Sequence, residues 1–189
     1  MSGPLDKLGR WLHLSEDIGG MAAVQSFNDF ALHKGIAHQG SWTFSGTAAG
    51  EFEDTMLICP DEWDCHASIM MNSGGDAIFE LYESPTVTTS GTEQDPRTLN
   101  RGFAVEDGER AFARGFVSPT LADAGYLLTR QLLPGGIGAI AGAEANDEWV
   151  LRRGRAYIFR LYNWTAGAEL LGMRVKWLEH NHSPAIDGL

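Results

Sequence analysis

Glu148-Trp149-Val150-Leu151, Tyr157-Ile158-Phe159-Arg160-Leu161-Tyr162-Asn163 and Leu170-Leu171-Gly172-Met173-Arg174-Val175-Lys176-Trp177-Leu178-Glu179-His180 are the runs that decide the fold. In the second run Tyr157, Phe159 and Leu161 share one face of a period-two strand. In the third, Leu171, Met173, Val175 and Trp177 share one face, with Gly172, Arg174 and Lys176 opposite. Such alternation marks antiparallel strands with one buried face. The seven residues from Asn163 to Glu169 suit a hairpin loop longer than a two-residue turn. A chain that closes on such strands is expected to be a β-sandwich or barrel.

Working outward, turn signals punctuate the rest. Strands are expected from Val24, where Phe27, Asp29 and Ala31 alternate with Asn28, Phe30 and Leu32, and again from Ala37 to Ser45. The tip Gly46–Gly50 follows, then a short apolar strand, Thr55–Ile58, ending at Pro60-Asp61-Glu62. Ala67–Met71 and Ala77–Glu83 read as the next pair around Asn72-Ser73-Gly74-Gly75-Asp76. Ser84–Thr92 reads as a polar extended stretch. Asn100–Val105, Arg110–Val117 and Tyr126–Leu133 are further strands, and a glycine-rich segment leads on to Asn146. The expected fold class is therefore all-β: an antiparallel β-sandwich or jelly roll of about ten strands. Residues 1–24 read as an N-terminal arm, 25–182 as the sandwich and 183–189 as a tail. The arm carries Leu8, Trp11, Leu12 and Leu14, which must be buried on its own domain or on a neighbouring subunit.

At 189 residues the chain is one domain with an arm, and 43% hydrophobic residues supply its core. The net charge of −11 argues against binding nucleic acid by phosphate neutralisation. Arg152, Arg153, Arg155, Arg160, Arg174 and Lys176 nonetheless cluster in the closing runs. They read either as a local basic patch or, preferably, as a solvated strand face paired to acids. No apolar run approaches the about 20 residues that span a bilayer, and no signal peptide is expected. With two cysteines, Cys59 and Cys65, a disulfide framework is not expected and a reducing compartment is the default.

Chemistry-bearing motifs are weak. Gly135–Gly142 lacks the P-loop lysine and the G-x-G-x-x-G spacing, so it reads as a flexible loop. Cys59, Asp61, Asp64, Cys65 and His66 include zinc-ligand types, but no second Cys/His pair completes a site. His180-Asn181-His182 resembles half of a cupin metal motif and reads as solvated tail. Asn163-Trp164-Thr165 matches a glycosylation sequon. No nucleophile, base and oxyanion donor come at a spacing that would assemble them. Neither catalytic residues, nor a metal, nor a cofactor is expected.

Two stretches resemble a family of tailed-bacteriophage virion proteins. Phe79-Glu80-Leu81-Tyr82-Glu83-Ser84-Pro85-Thr86-Val87-Thr88-Thr89-Ser90-Gly91-Thr92, with Asn100-Arg101 after it, is similar to that family's "E-L-Y-E-x-P-T-V-T-x-x-G-T" run. Glu148–Leu151 through Arg160–Asn163 to Trp177-Leu178-Glu179-His180 resembles its closing segment, which ends in "W-x-E-H". His33, His38 and Gly40 match its approach to the first strand. The likeness covers about residues 30 to 180 in order. Arg153-Gly154 stands where the family has Lys-Pro, the Asn-Arg run is shortened, and the acidic loop around Asp61 is this chain's own. The resemblance implies a head decoration (cement) protein that binds the major capsid protein as a homo-oligomer, a trimer being favoured. It places the protein on the virion's capsid surface after assembly in the host cytoplasm, with neither nucleic acid nor membrane as partner. Leu8, Trp11, Leu12 and Leu14 then become the expected capsid or subunit contact. The alternatives are a tail or fibre-attachment module, a carbohydrate-binding jelly roll using Trp42, Trp63 or Trp164, and last a cupin-type enzyme.

Overall fold

The structure, a computed structural model, describes residues 37–99, 111–135 and 143–180. Thirteen strands are described: β1 Ala37–Thr47, β2 Phe52–Ile58, β3 Asp64–Ser73, β4 Ala77–Glu83, β5 Thr86–Thr89, β6 Thr92–Gln94, β7 Arg97–Thr98, β8 Arg114–Val117, β9 Thr120–Asp123, β10 Tyr126–Leu133, β11 Ala143–Leu151, β12 Ala156–Asn163 and β13 Glu169–His180. They form a five-stranded sheet ordered β11-β3-β13-β1-β7, a six-stranded sheet ordered β10-β4-β12-β2-β8-β6, and a small β5-β9 pair. All pairings are antiparallel. Without β5 to β9, the remaining order is β11-β3-β13-β1 over β10-β4-β12-β2. That is the eight-stranded jelly roll with two Greek keys, so the all-β sandwich expected from the alternation is the fold observed. The count exceeds the expected ten because β5, β6, β7 and β9 are two to four residues long and polar, too short to show a period.

The inward faces are those read from the alternation. Tyr157, Phe159 and Leu161 of β12 are buried against Leu171, Met173, Val175 and Trp177 of β13 in one core, with Phe79, Leu81, Leu57, Ile69 and Met71. The hairpin expectation fails, however. β12 pairs with β2 and β4, while β13 pairs with β1 and β3. The loop between them crosses from one sheet to the other, so the two apolar faces meet across the core instead of lying side by side. The same correction applies to Ala67–Met71 and Ala77–Glu83: β3 and β4 lie in different sheets. β11 also starts earlier than expected, at Ala143, inside the glycine-rich stretch.

A second apolar cluster lies outside the six-stranded sheet. Met56, Phe116 and Ile158 are buried there under Val87 and Leu121 of the β5–β9 pair. This cover explains the uninterrupted apolar run at Thr55–Ile58: β2 is buried on both faces. The insertion rejoins the sheet through Gly125. Its φ of 95° favours glycine, and a Cβ there would run into the Glu83 carbonyl oxygen, so no side chain is admitted.

Candidate functional site

The part of the six-stranded sheet beyond this cover presents two rows across four strands. The first runs Leu132, Ile78, Tyr162, Phe52, each opposite the next in register. Leu132 is 66% exposed and Phe52 45%, and Trp164, 61% exposed, tilts over Tyr162 at 5.7 Å between ring centroids. The second row runs Arg130, Glu80, Arg160, Asp54. Arg160 makes a two-pronged bond to Asp54 (2.7 and 2.8 Å) and lies 3.9 Å from the Phe52 ring centroid. Glu80 accepts from the Tyr82 hydroxyl (2.6 Å) and from Arg130 (2.6 Å). The bonds to Asp54 hold the Arg160 guanidinium above its ordinary range, and burial pushes the Tyr82 phenol up. The four charges of the row are thus paired within it, Arg130 with Glu80 and Arg160 with Asp54.

The exposed apolar residues extend to one side of the sandwich. β10 carries Tyr126, Leu127 and Leu132, and β11 carries Val150, all exposed. Among the described residues β10 is the terminal strand of its sheet and β11 of the other. Among the described residues, one flank therefore ends in two edge strands with exposed apolar side chains on them.

The opposite flank is fastened from within. The buried Glu179 carboxylate accepts from the Phe112 N–H (2.9 Å), the Ala113 N–H (2.8 Å) and Trp177 Nε1 (3.0 Å), which straps the segment before β8 to β13. His38 Nε2 lies 3.8 Å from it, with its ring 6.0 Å from that of Trp177. Burial lowers the His38 pKa against the pull of Glu179. At the sandwich's loop end, Asn163 is fully buried. Its amide donates to the Thr47 and Gly167 carbonyls (2.8 and 2.7 Å), and its oxygen accepts from the N–H and hydroxyl of Thr165 (2.9 and 2.8 Å). The sequon is thus a loop clamp with its amide fully used. Of the residues that carry the resemblance, His38, Trp177, Glu179 and Asn163 sit in these fasteners, Glu80 and Arg160 in the paired row, Gly40 is buried, and Glu83 accepts from the Tyr157 hydroxyl at 2.9 Å. Arg101 and His33 lie outside the described residues.

Other candidates are dispersed. Arg152, Arg153 and Arg155 sit at the β11–β12 turn, Arg160 on one outer face, and Arg174 and Lys176 on the other sheet, so the basic patch is not formed. Trp42 is buried in the core rather than on the surface, and Trp63 stacks on Phe112 at 6.1 Å. The three tryptophans share no platform. Cys59 and Cys65 are buried free thiols, and the neighbouring Cys59, with burial, pushes the Cys65 pKa far up. Among the described residues no three His, Cys, Asp or Glu side chains gather as a metal-binding group. Leu8, Trp11, Leu12 and Leu14, the tail 183–189 and the strand expected from Val24 lie outside the described residues. The open flank escapes a reading of the sequence because it depends on which strands end the sheets. Its one signal is the unusual density of Tyr and Leu in Tyr126–Leu133. No protein-family model, curated protein or solved structure matches the chain.

Proposed function

We propose that this chain is a structural protein of a tailed-bacteriophage virion, a capsid decoration (cement) protein that binds the major capsid protein as a homo-oligomer and stabilises the shell. It performs no catalysis in this reading. The observation that supports it is one flank of the jelly roll: Tyr126, Leu127, Leu132 and Val150 are exposed there on strands that end their sheets among the described residues, a surface suited to assembly. The motif resemblance supports it independently. The jelly roll itself serves shells, lectins and enzymes alike and does not choose among them. Multivalent docking of a symmetric oligomer would turn weak contacts into firm attachment, with Trp11 of the arm as apolar anchor. The test is binding to purified phage heads. Removal of residues 1–20 is expected to abolish binding while the far-ultraviolet circular dichroism keeps its strand signature. Unchanged binding would remove the arm from the account, and failure of the whole chain to bind heads would remove the decoration role.

A carbohydrate-binding module is the second reading. It is favoured by Trp164, Tyr162 and Phe52, which put three accessible aromatic rings at the loop end. A glycan array probed with the wild type and with Trp164→Ala separates the two: signal lost in the variant supports sugar binding, and no signal from either leaves assembly.

A further inference from the structure

We infer that the gap between the two sheets beside Trp42 is a binding site for a neutral polyhydroxylated molecule, a sugar. This goes beyond the decoration reading, stands without it, and involves none of Phe52, Tyr162 and Trp164. The starting observation is the Trp42 indole. The residue is 5% exposed, and its Nε1–H is buried and donates to no acceptor. A buried donor left unpaired costs free energy on the scale of a lost hydrogen bond. A phenylalanine would fill the same part of the core without that cost. Two glycines make room for the ring. A Cβ at Gly40 would run into the indole Cη2, and one at Gly115 would lie 3.4 Å from Cζ2. The indole is thus laid between β1 of the five-stranded sheet and β8 of the six-stranded one.

A cavity of about 480 Å³ opens beside the ring. One wall is Gly40–Trp42 of β1. The other is Gln94–Arg97, the link that crosses from β6 in one sheet to β7 in the other. β7 pairs with β1 at His38 and Gln39 alone, so the link stands away from β1 beyond that point. Indole Cζ2, two bonds from Nε1, faces Gly115, and Gly115 pairs with Gln94 of β6. This brings the unpaired N–H to the Gln94 side of the cavity. The volume is far more than one ordered water needs and lies in the range of small-ligand sites.

The class of ligand follows from the groups on these walls. At the buried end the donor is neutral. Among the lining residues the one cation is Arg97, and it is exposed. A ligand carboxylate against the indole would be desolvated without a counter-charge, which is costly, whereas a hydroxyl oxygen accepts that bond without one. At the mouth Asp95 and Arg97 cancel in charge, and neither makes an ion pair among the described residues. They offer an acceptor and a donor fork. Gln39 and Ser41 can both donate and accept, and the Gln39 amide steadies the pair by donating to Ser41 Oγ at 3.2 Å. A ligand that meets donors and acceptors around it, in a pocket of no net charge, must offer both on a neutral frame. Vicinal hydroxyls do so, and Pro96 gives an apolar surface for the C–H face of their ring.

The test follows the indole N–H itself, by NMR of the isotope-labelled full-length chain. Trp42→Phe identifies the Trp42 signal among the six tryptophan N–H cross-peaks. Glucose, galactose, mannose and N-acetylglucosamine are titrated separately, with acetate and glycine as charged controls. At least one sugar should move the Trp42 cross-peak saturably. Asp95→Ala with Arg97→Ala, both at exposed positions, should weaken that binding about tenfold or more. A Trp42 cross-peak that no sugar moves, a shift given by acetate or glycine alone, movement of another tryptophan's cross-peak alone, or an affinity unchanged in the double variant overturns the inference. Should Trp42→Phe fail to fold, the double variant decides, with binding read by saturation transfer to the sugar. Binding lost from the wild-type level supports the site; binding retained, or absent from the wild type, refutes it.

Discussion

The two flanks of this sandwich are built from the same two sheets and finish in opposite ways. On one side β6, β7 and β8 prolong the sheets. Their exposed residues are polar, Thr92-Glu93-Gln94 among them, and Arg114 bonds Glu93 at 2.7 and 2.8 Å. The segment leading into β8 is tied from beneath by a buried carboxylate. On the other side β10 and β11 end their sheets among the described residues, with four large apolar residues exposed. Both flanks have the same core behind them, so the difference is not one of stability. A flank finished with polar strands is compatible with water as it stands. A flank with several apolar residues in the open is the one suited to contact with another surface.

The largest effect should come from removing what the flanks share. Trp177 sits in the central strand β13, 1% exposed, with residues of both sheets around it. Trp177→Ala is expected to cost about 3–5 kcal/mol in denaturant unfolding. Hydrogen exchange should rise on β8 and on β10 together. A negligible loss, or a loss on one side alone, would mean that the sandwich does not fold as one cooperative unit.

Glu179→Ala should instead separate the flanks. It strips three donors of their acceptor: the half-buried N–H of Phe112, the buried N–H of Ala113 and the buried indole of Trp177. The expected loss is about 2–4 kcal/mol, with exchange rising in β8 and little changed in β10. Equal loosening of both would show that the strap is not specific to the closed flank.

How much of this can be read from residues alone follows the physics of alternation. A period of two tells which way a side chain points, and for Tyr157, Phe159, Leu161, Leu171, Met173, Val175 and Trp177 it points correctly. It does not tell which strand lies alongside. An arch and a hairpin carry the same pattern, and so the alternation suggests β12 and β13 as partners when they face each other across the core. Some buried polar groups are in fact legible. His38 is in phase with Gly40 and Trp42, and Glu179 with Trp177 and Val175, so each is a polar residue at an inward position. Polar side chains in strands are ordinarily taken as solvent-facing, and this hides the strap. The open flank is illegible for a different reason: it is a property of sheet order, fixed by contacts far apart in sequence.

A smaller effect sits in the same strap and is read by pH. Burial holds His38 below the ordinary histidine value of 6.5. The unfolded chain therefore binds its proton at higher pH than the folded one. Stability is full above about pH 6.5 and falls as the pH drops toward the folded value, by up to about 1.4 kcal/mol per unit in that window. The groups facing His38 are Glu179, which favours the charged ring, and Trp177. Melting temperature compared between pH 7.5 and pH 5 should fall for the wild type and fall less for His38→Asn. Equal slopes would place the acid sensitivity elsewhere.

The smallest effect belongs to the open flank, and its smallness is the point. Leu132 is two-thirds exposed and pairs in register with Ile78 at the sheet's outer face. In a single chain it covers little, so Leu132→Ser should change unfolding by less than about 0.5 kcal/mol when measured at dilutions where the chain is monomeric. If Leu132 mattered to the monomer's own packing, truncation would cost a buried leucine's roughly 2–5 kcal/mol, and the flank would be part of the core. A near-zero value means that the side chain contributes nothing to holding one chain together while remaining exposed to water. An apolar residue that adds nothing to its own fold, on a strand that ends its sheet among the described residues, is available to a second molecule, as the proposed assembly requires. The same variant measured at high concentration should then lose association that the wild type retains.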